Sequence, residues 1–467
     1  MNPKITSCLL LIASTLIPQA LHAQKNATFW LTTPDKSSLL QLQSTSLRFT
    51  KPAGSNPTID VDDKQTFQAI DGFGFALTGG SAQLIMHMDP AKRAALLQEL
   101  FTDTGNNISI SYLRVSIGSS DMNDHVYSYD DLPKGQTDPD MAKFSLAPDR
   151  DDVIPVLKQI LAINPKIKIL GSPWSAPFWM KTNGGAKGGV LKPEYFAAYA
   201  AYFVKYIQRM KAEGIPIDAV TIQNEPLNEN NTPSMLMLAP EEADFIKNDL
   251  GPDFAKAGIK TKIILYDHNL DHPAYPLSIL RDPAANKYID GTGFHLYGGT
   301  VDAMTEVHND FPEKNLYFTE QMVINLHDGD TMKISEPVAK IVIGASRNWS
   351  KNVLLWNLAA DSQFGPHTSN GGCPVCQGAI TIDGNNVTRN LAYYTIAQAS
   401  KFVPPGSTRI GSNNLDNLPN VAFKTLNGKV VLLVSNLSDS SQTFNVRYRG
   451  KAFSAVLGAG AVATYIW

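Results

Sequence analysis

One rhythm constrains this chain more than any other feature. From about residue 70 to residue 402, short apolar runs alternate with longer stretches of helical periodicity. Strand signals fall at 74–77, 112–117, 167–171, 218–222, 262–266, 293–297, 316–320 and 352–357. Helical patterns lie between them at 90–101, 153–163, 194–210, from Pro240 onward, at 333–349 and at 391–402. Pro193 fits a first helical turn, where a missing N–H costs nothing, and Glu241 and Glu242 suit the positive end of a helix dipole. Strands that alternate with helices imply a parallel sheet, and eight such units close as a (β/α)8 barrel, an α/β fold. The structural alternative is a doubly wound sheet, which more often carries an early G-x-G-x-x-G turn; this chain has none.

Outside the rhythm the chain reads as β-structure. Short alternating runs fall at 27–33, 46–50 and 65–70, and again at 421–425, 430–436, 442–448 and 461–467. Two or three strands are marginal alone. The two chain ends are therefore expected to share one β-sandwich packed on the barrel, with residues 24–69 and 401–467 flanking a barrel over 70–400. Residues 1–23 read as a secretory signal peptide: Lys4 leads, Leu9-Leu10-Leu11-Ile12-Ala13 is apolar, and Ala20-Leu21-His22-Ala23 offers a cleavage site after Ala23. The apolar stretch is short and interrupted by Pro18, which argues against a membrane anchor. The expectation is an exported protein, periplasmic or secreted. A net charge of -3 with no basic run argues against nucleic acid and anionic membrane surfaces as partners. Cys8 would leave with the signal, and Cys373 and Cys376 would remain as a C-x-x-C in an exported protein. A local disulfide is the expectation. A zinc site needs about four ligands and there is no second pair, and a thioredoxin-like role needs its own βαβ setting.

The chemistry is expected where barrel strands end. Thr221-Ile222-Gln223-Asn224-Glu225-Pro226 closes the fourth strand, and Leu316-Tyr317-Phe318-Thr319-Glu320 closes the seventh. A lone strand-end glutamate is more often a solvated loop charge, but two at C-terminal strand ends make a candidate acid/base and nucleophile pair. Around them fall Arg114 and Asp121, Trp174, His295 and Tyr297, and Trp356 with Asn357. Aromatic faces stack on the C–H faces of sugars, while Asp, Asn and His grip hydroxyls, so the set suits a carbohydrate cleft. Each aromatic taken singly suits core packing better, and His295 suits a hydrogen-bonded structural histidine as well as a ligand contact. Long loops at 119–149 and 357–388 would wall the cleft.

Gln223-Asn224-Glu225-Pro226, Phe318-Thr319-Glu320, Arg114-Val115 and Ser172-Pro173-Trp174-Ser175-Ala176-Pro177, with Trp179-Met180-Lys181, resemble the signatures of glycoside hydrolase family 30 in clan A. The resemblance covers nearly all of the mature chain. It implies retaining hydrolysis without a cofactor or metal, with Glu225 as acid/base and Glu320 as nucleophile. It also implies glycone contacts from Asp121, Trp174, Asn224, Tyr297 and Trp356. Lys181-Thr182-Asn183-Gly184-Gly185 and Leu191-Lys192-Pro193-Glu194-Tyr195 are similar to the glucosylceramidase and endo-β-1,6-glucanase branches. Ala76-Leu77-Thr78-Gly79-Gly80 departs from the former, which carry an acid after the threonine. The reading is a hydrolase of a β-glucan, the glucan β-1,6-linked, or of a β-glucoside or glucosylceramide-like substrate. The alternatives are a xylan- or uronate-directed enzyme of the same family and a non-catalytic glycan-binding protein. Recognition of a uronate wants Arg or Lys, and the 357–388 loop contains neither. Retention predicts the two carboxyl groups about 5–5.5 Å apart.

Overall fold

The computed structural model describes residues 26–52, 54–325 and 331–467; the proposed signal peptide lies outside the described residues. Three strands precede the barrel: β1 (Thr28–Thr32), β2 (Gln41–Leu42) and β3 (Thr58–Ala69). The next eight are β4 (Gly72–Leu77), β5 (Tyr112–Ser116), β6 (Lys168–Ser172), β7 (Ala219–Thr221), β8 (Lys262–Asn269), β9 (Ile289–His295), β10 (Asn315–Glu320) and β11 (Ser350–Leu355). They form one closed parallel barrel in which β11 returns to pair with β4. All eight expected strand positions fall on these elements. The helix Pro90–Phe101 starts on its proline and buries Leu96, Leu97, Leu100 and Phe101. The helix expected from residue 194 starts later, at Phe196, because Pro193–Tyr195 forms a tighter turn first. The stretch expected as one helix at 333–349 is three pieces, with a wide π-helical turn at Val338–Ile343 between short α-turns.

Beyond the barrel, β12 (Ala359–Ala360), β13 (Ile380–Asp383) and β14 (Asn386–Arg389) form a small sheet inside what reads in sequence as a long loop. The chain ends with β15 (Thr408–Ser412), β16 (Asn420–Lys424), β17 (Val430–Ser435), β18 (Gln442–Tyr448), β19 (Lys451–Leu457) and β20 (Val462–Ile466). With β1–β3 they form a nine-stranded sheet in the order β19-β18-β3-β15-β16-β17-β20-β1-β2. Strand β3 pairs with β18 through its first residues and with β15 through the rest. The sheet folds over at β3, so Phe444 and Phe453 meet Tyr465 from the other half, with ring centroids 6.1 and 5.8 Å apart. The side domain is thus built from both chain ends. The strand expected at 46–50 is absent: only isolated bridges, Leu47 to Ala27 and Thr50 to Ala452, occur there. Strands β15 and β19 carry no expected counterpart: Thr408–Ser412 holds a single large apolar residue, Ile410, and in β19 Lys451, Ser454 and the exposed Val456 break an obvious apolar pattern.

Inside the barrel, Tyr112, Leu170, Ala219, Ile264, Tyr317 and Leu354 form a small buried apolar cluster. Side chains two residues on share the same face of a strand. Two residues on from these are Arg114, Ser172, Thr221, Thr319 and Trp356, so the next layer toward the C-terminal ends is polar with one aromatic wall. Strand β8 breaks the count. Its register shifts between Tyr266 and His268, and both Tyr266 and Asp267 have positive φ, 75° and 60°. This bulge turns Asp267 inward where a regular strand would present Tyr266.

Candidate active site

Four groups converge on Asp267, which is fully buried. Arg114 Nη2 (2.7 Å) and Thr221 Oγ1 (2.7 Å) donate to Oδ2. Thr319 Oγ1 (2.6 Å) and His295 Nε2 (3.1 Å) donate to Oδ1. Burial opposes its charge, but Arg114 and His295 hold the carboxyl far below the usual range. Arg114 spends its other donors on Glu320 Oε2 (2.5 Å), Asn224 Oδ1 (2.6 Å) and Ser172 Oγ (3.1 Å). Its guanidinium lies 4.8 Å from the Trp174 ring centre. A buried cation shared by two carboxylates fixes both, because neither can leave without stranding the charge.

Glu225 follows β7 with φ of 45°, a left-handed backbone that an L-residue rarely adopts. Its N–H donates to the Asp267 carbonyl (3.0 Å), and the N–H of Asn224 donates to the Pro173 carbonyl (2.7 Å). These bonds hold the strained turn and aim the carboxyl across the barrel mouth. Glu320, at the end of β10, faces it; Tyr297 Oη donates to its Oε1 (3.1 Å). His295 stands between the two, Nδ1 lying 3.3 Å from Glu225 Oε1 and 3.8 Å from Glu320 Oε1. One oxygen of each glutamate and one His295 nitrogen lie within 4.8 Å of one another. Oxygens this close are what carboxyl groups about 5–5.5 Å apart would present.

The charges are coupled. Burial would lower His295, but the charge of Glu320 and the bonds to Asp267 and Glu225 raise it to about 9. Burial would raise Glu225, but His295 and Asn228 hold it down to about 2. Burial raises Glu320, with His295 and Arg114 opposing and Glu225 adding to the rise. The proton these groups share therefore rests on His295, between Glu225 and Asp267. Glu225, His295 and Glu320 have the composition of a metal-ligand triad. They suit a cation poorly, since Arg114 already occupies Glu320 and a protonated imidazole offers no lone pair.

The cleft itself is a cavity of about 460 Å³ lined by Asp121, Trp174, Glu225, Tyr297, Glu320 and Trp356, and by Leu227, Asn228, Asn231, His268, Asn269, Met322, Cys373 and Cys376. Trp174 and Trp356 rings lie 5.4 Å apart, tilted by 32°. Asp121 Oδ1 and Trp174 Nε1 are buried without a hydrogen-bond partner, so a hydroxyl-bearing ligand would satisfy both. Burial, then the charges of Glu320 and Glu225, push Asp121 up to about 8. Asn224 and His295, read in sequence as sugar contacts, sit behind this surface, on Arg114 and between the glutamates. Cys373 and Cys376 form a disulfide, Cα atoms 5.5 Å apart, and Cys376 packs with Trp174 and Trp356. Sequence reasoning missed Asp267, His268, Asn228 and Asn231. Asp267 follows a strand whose apolar pattern stops at Tyr266, and the bulge has no sequence signature. The run Asn228-Glu229-Asn230-Asn231 directly after the glutamate was the available signal for the asparagines. A larger hollow of about 710 Å³ beside the cleft, lined in part by Leu296, Met322 and Leu391, contains neither glutamate.

The sequence matches the glycosyl hydrolase family 30 TIM-barrel domain over residues 70–403 and the glycosyl hydrolase family 30 beta sandwich domain over residues 406–465. It is 37% identical to the endo-1,6-beta-D-glucanase neg1 of Aspergillus fumigatus over 369 residues, 75% of this chain and 73% of that protein. It is 28% identical to the lysosomal acid glucosylceramidase of Mus musculus over 445 residues, 89% of this chain and 84% of that protein. The solved endo-beta1,6-glucanase BT3312 superposes with a TM-score of 0.87 at 35% identity, covering 95% of this chain and 99% of that one.

Proposed function

Because the chain belongs to glycoside hydrolase family 30, we propose that it is a retaining endo-β-1,6-glucanase. The observation that carries the reading is the facing pair Glu225 and Glu320, one oxygen of each within 4.8 Å of the other, an approach that the short carboxyl separation of double displacement needs. Glu320 is the nucleophile: Arg114 and Tyr297 hold its two oxygens, so one lone pair is aimed into the cleft. It attacks C1 of the glucose ring as Glu225 gives a proton to the leaving oxygen. A sugar that fills the cleft excludes water, which disfavours the His295–Glu225 ion pair and returns the proton from Nδ1 to Oε1. Glu225, now a carboxylate, then takes a proton from the water that attacks C1 of the glycosyl ester. Asp121, Trp174 and Trp356 bind the glycone by its hydroxyls and its C–H face.

The linkage rests on the likeness to two β-1,6-glucanases at 35–37% identity. Against a uronate substrate stands the cavity lining, which includes no Arg or Lys; Arg114 behind it is already paired. No helix among the described residues is long and apolar enough to cross a membrane, and the leader-like N-terminus supports export. The test is a product profile on linear β-1,6-, β-1,3- and β-1,4-glucans with xylan and glucosylceramide alongside. Fast mid-chain cutting of the β-1,6-glucan alone is expected. Preference for xylan or glucosylceramide would overturn the substrate, and no hydrolysis of any of them would overturn the reaction.

A further inference from the structure

The loop that follows Glu225 returns on the glutamate's own carboxyl. Asn228 Nδ2 donates to Glu225 Oε2 (2.7 Å), and Asn231 Nδ2 reaches the same oxygen at 3.3 Å. The Asn228 amide cannot turn over, because its Oδ1 accepts the Asn230 N–H (2.9 Å). The N–H of Asn228 donates to the Glu225 carbonyl (2.8 Å), tying the turn at the backbone too. The opposite wall backs this loop: Thr232 N–H donates to the Gly371 carbonyl (3.2 Å), and Thr368 Oγ1 donates to the Thr232 carbonyl (2.7 Å). Both stand in the chain segment that carries the disulfide.

Among the described residues the other oxygen, Oε1, hydrogen-bonds only with His295 Nδ1, at 3.3 Å. His295 Nε2 must carry a hydrogen, since Asp267 is an anion that can only accept. The proton that can move therefore lies between Nδ1 and Oε1. We propose that Asn228, helped by Asn231, is a positioning residue that holds Glu225 Oε2 as an acceptor, confines the acid/base proton to Oε1 and favours the carboxylate form that acts as base in the second step. This rests on the assignment of Glu225 as acid/base. In that second step water adds to C1, its proton passes to Glu225, and the ester bond from C1 to Glu320 breaks, freeing the Glu320 carboxylate.

The charged and titratable groups facing Glu225 come from several elements. They are His295 on β9 and Tyr297 after it, Glu320 on β10, Tyr266, Asp267 and His268 on β8, Arg114 on β5, and Asp121 in the loop after β5. In the glycosyl-enzyme Glu320 is an ester and neither repels nor titrates. Tyr266, Tyr297, Asp267 and Arg114 keep their charge states across the working range, and burial holds His268 down to about 4, neutral near neutrality. His295 shares its mobile proton with Glu225, and Asp121, pushed up to about 8, makes no contact with either asparagine's clamp, so a shift of the acid limb on changing Asn228 or Asn231 reports the Glu225–His295 pair.

The experiment is the pH dependence of kcat on dinitrophenyl β-gentiobioside, whose leaving group makes deglycosylation limiting. Removing a hydrogen bond to a charged group shifts its titration by about one pH unit. Asn228→Ala should move the acid limb upward by about that much, Asn231→Ala by less, and Asn228→Asp by more, because it adds a like charge. Melting curves accompany each variant, and Asn231→Ala and Asn228→Asp carry the test if Asn228→Ala does not fold. A uniform fall in kcat with the limb unmoved would overturn the proposal, leaving a structural role. Azide rescue of Glu225→Gln, run in parallel, separates the two readings. Rescue with unmoved limbs rejects the clamp alone; absence of rescue rejects the acid/base assignment and the clamp with it.

Discussion

Asp267→Asn is the most demanding substitution in this structure. The side chain keeps its shape, yet both oxygens of Asp267 are filled, each by two donors. An amide can keep one oxygen; its NH2 group must then face either Arg114 and Thr221 or His295 and Thr319, donor against donor. The Arg114 guanidinium, fully buried, is left with Glu320 as its only charged partner among the described residues. Breaking a buried ion pair from one side costs about 3–5 kcal/mol. A barrel of about 330 residues unfolds with an entropy near 0.7 kcal/mol per kelvin, so Tm should fall by about 4–7 °C. The pH dependence follows from linkage. Asp267 has a folded pKa far below its unfolded value, so its contribution is full above the unfolded pKa of about 3.9 and is lost only as pH falls toward the folded one. Asp267 also helps raise His295 to about 9, a contribution that is full below about 6.5 and is lost as pH rises toward 9, so calorimetry should show the full gap from wild type at pH 5 and a narrower one at pH 8. Glycoside hydrolase activity should fall with it, because Arg114 would pull Glu320 away from the sugar. A variant melting within about 1 °C of wild type, with activity retained, would refute the claim that Asp267 anchors the site.

Glu242 is fully buried, and burial pushes it up to about 7 although it accepts from Tyr266 N–H and Tyr275 Oη. A raised carboxyl binds its proton in the folded state, so stability falls as pH rises from its unfolded value toward 7; Glu242→Gln should raise Tm at pH 8, by up to about 3 kcal/mol of stability, and not at pH 4. The paired change Cys373→Ala with Cys376→Ala opens a short loop worth about 2 kcal/mol, or about 3 °C in Tm. Because Cys376 packs with Trp174 and Trp356, KM for the carbohydrate substrate should rise as well, which kinetics on the oxidised and substituted proteins would show.

The fold was legible because its signal is repetitive. Eight apolar runs separated by helices leave little choice but a barrel, and Glu225 and Glu320 stand where such barrels do chemistry. What escaped has local causes. Strand β19 alternates with exposed Lys451, Ser454 and Val456, and the 46–50 run is amphipathic but finds only single bridges. Asp267 depends on a bulge set by positive φ at two non-glycine residues, a tertiary effect that propensity does not encode. His295 was visible as a residue but not in its position, since only the closed barrel shows it lodged between two carboxylates and Asp267.

The central claim is that Glu320 attacks and Glu225 carries the proton, and azide rescue tests it most directly. In Glu225→Gln, an activated aryl β-glucoside should still form the glycosyl-enzyme, which then accumulates for want of a base. Azide needs no deprotonation and should restore turnover, giving the β-glycosyl azide, while Glu320→Gln stays inactive and is not labelled by a fluorinated inactivator. A β-azide from Glu320→Gln with Glu225→Gln inactive and unlabelled would exchange the roles; full activity in both variants would place the chemistry elsewhere.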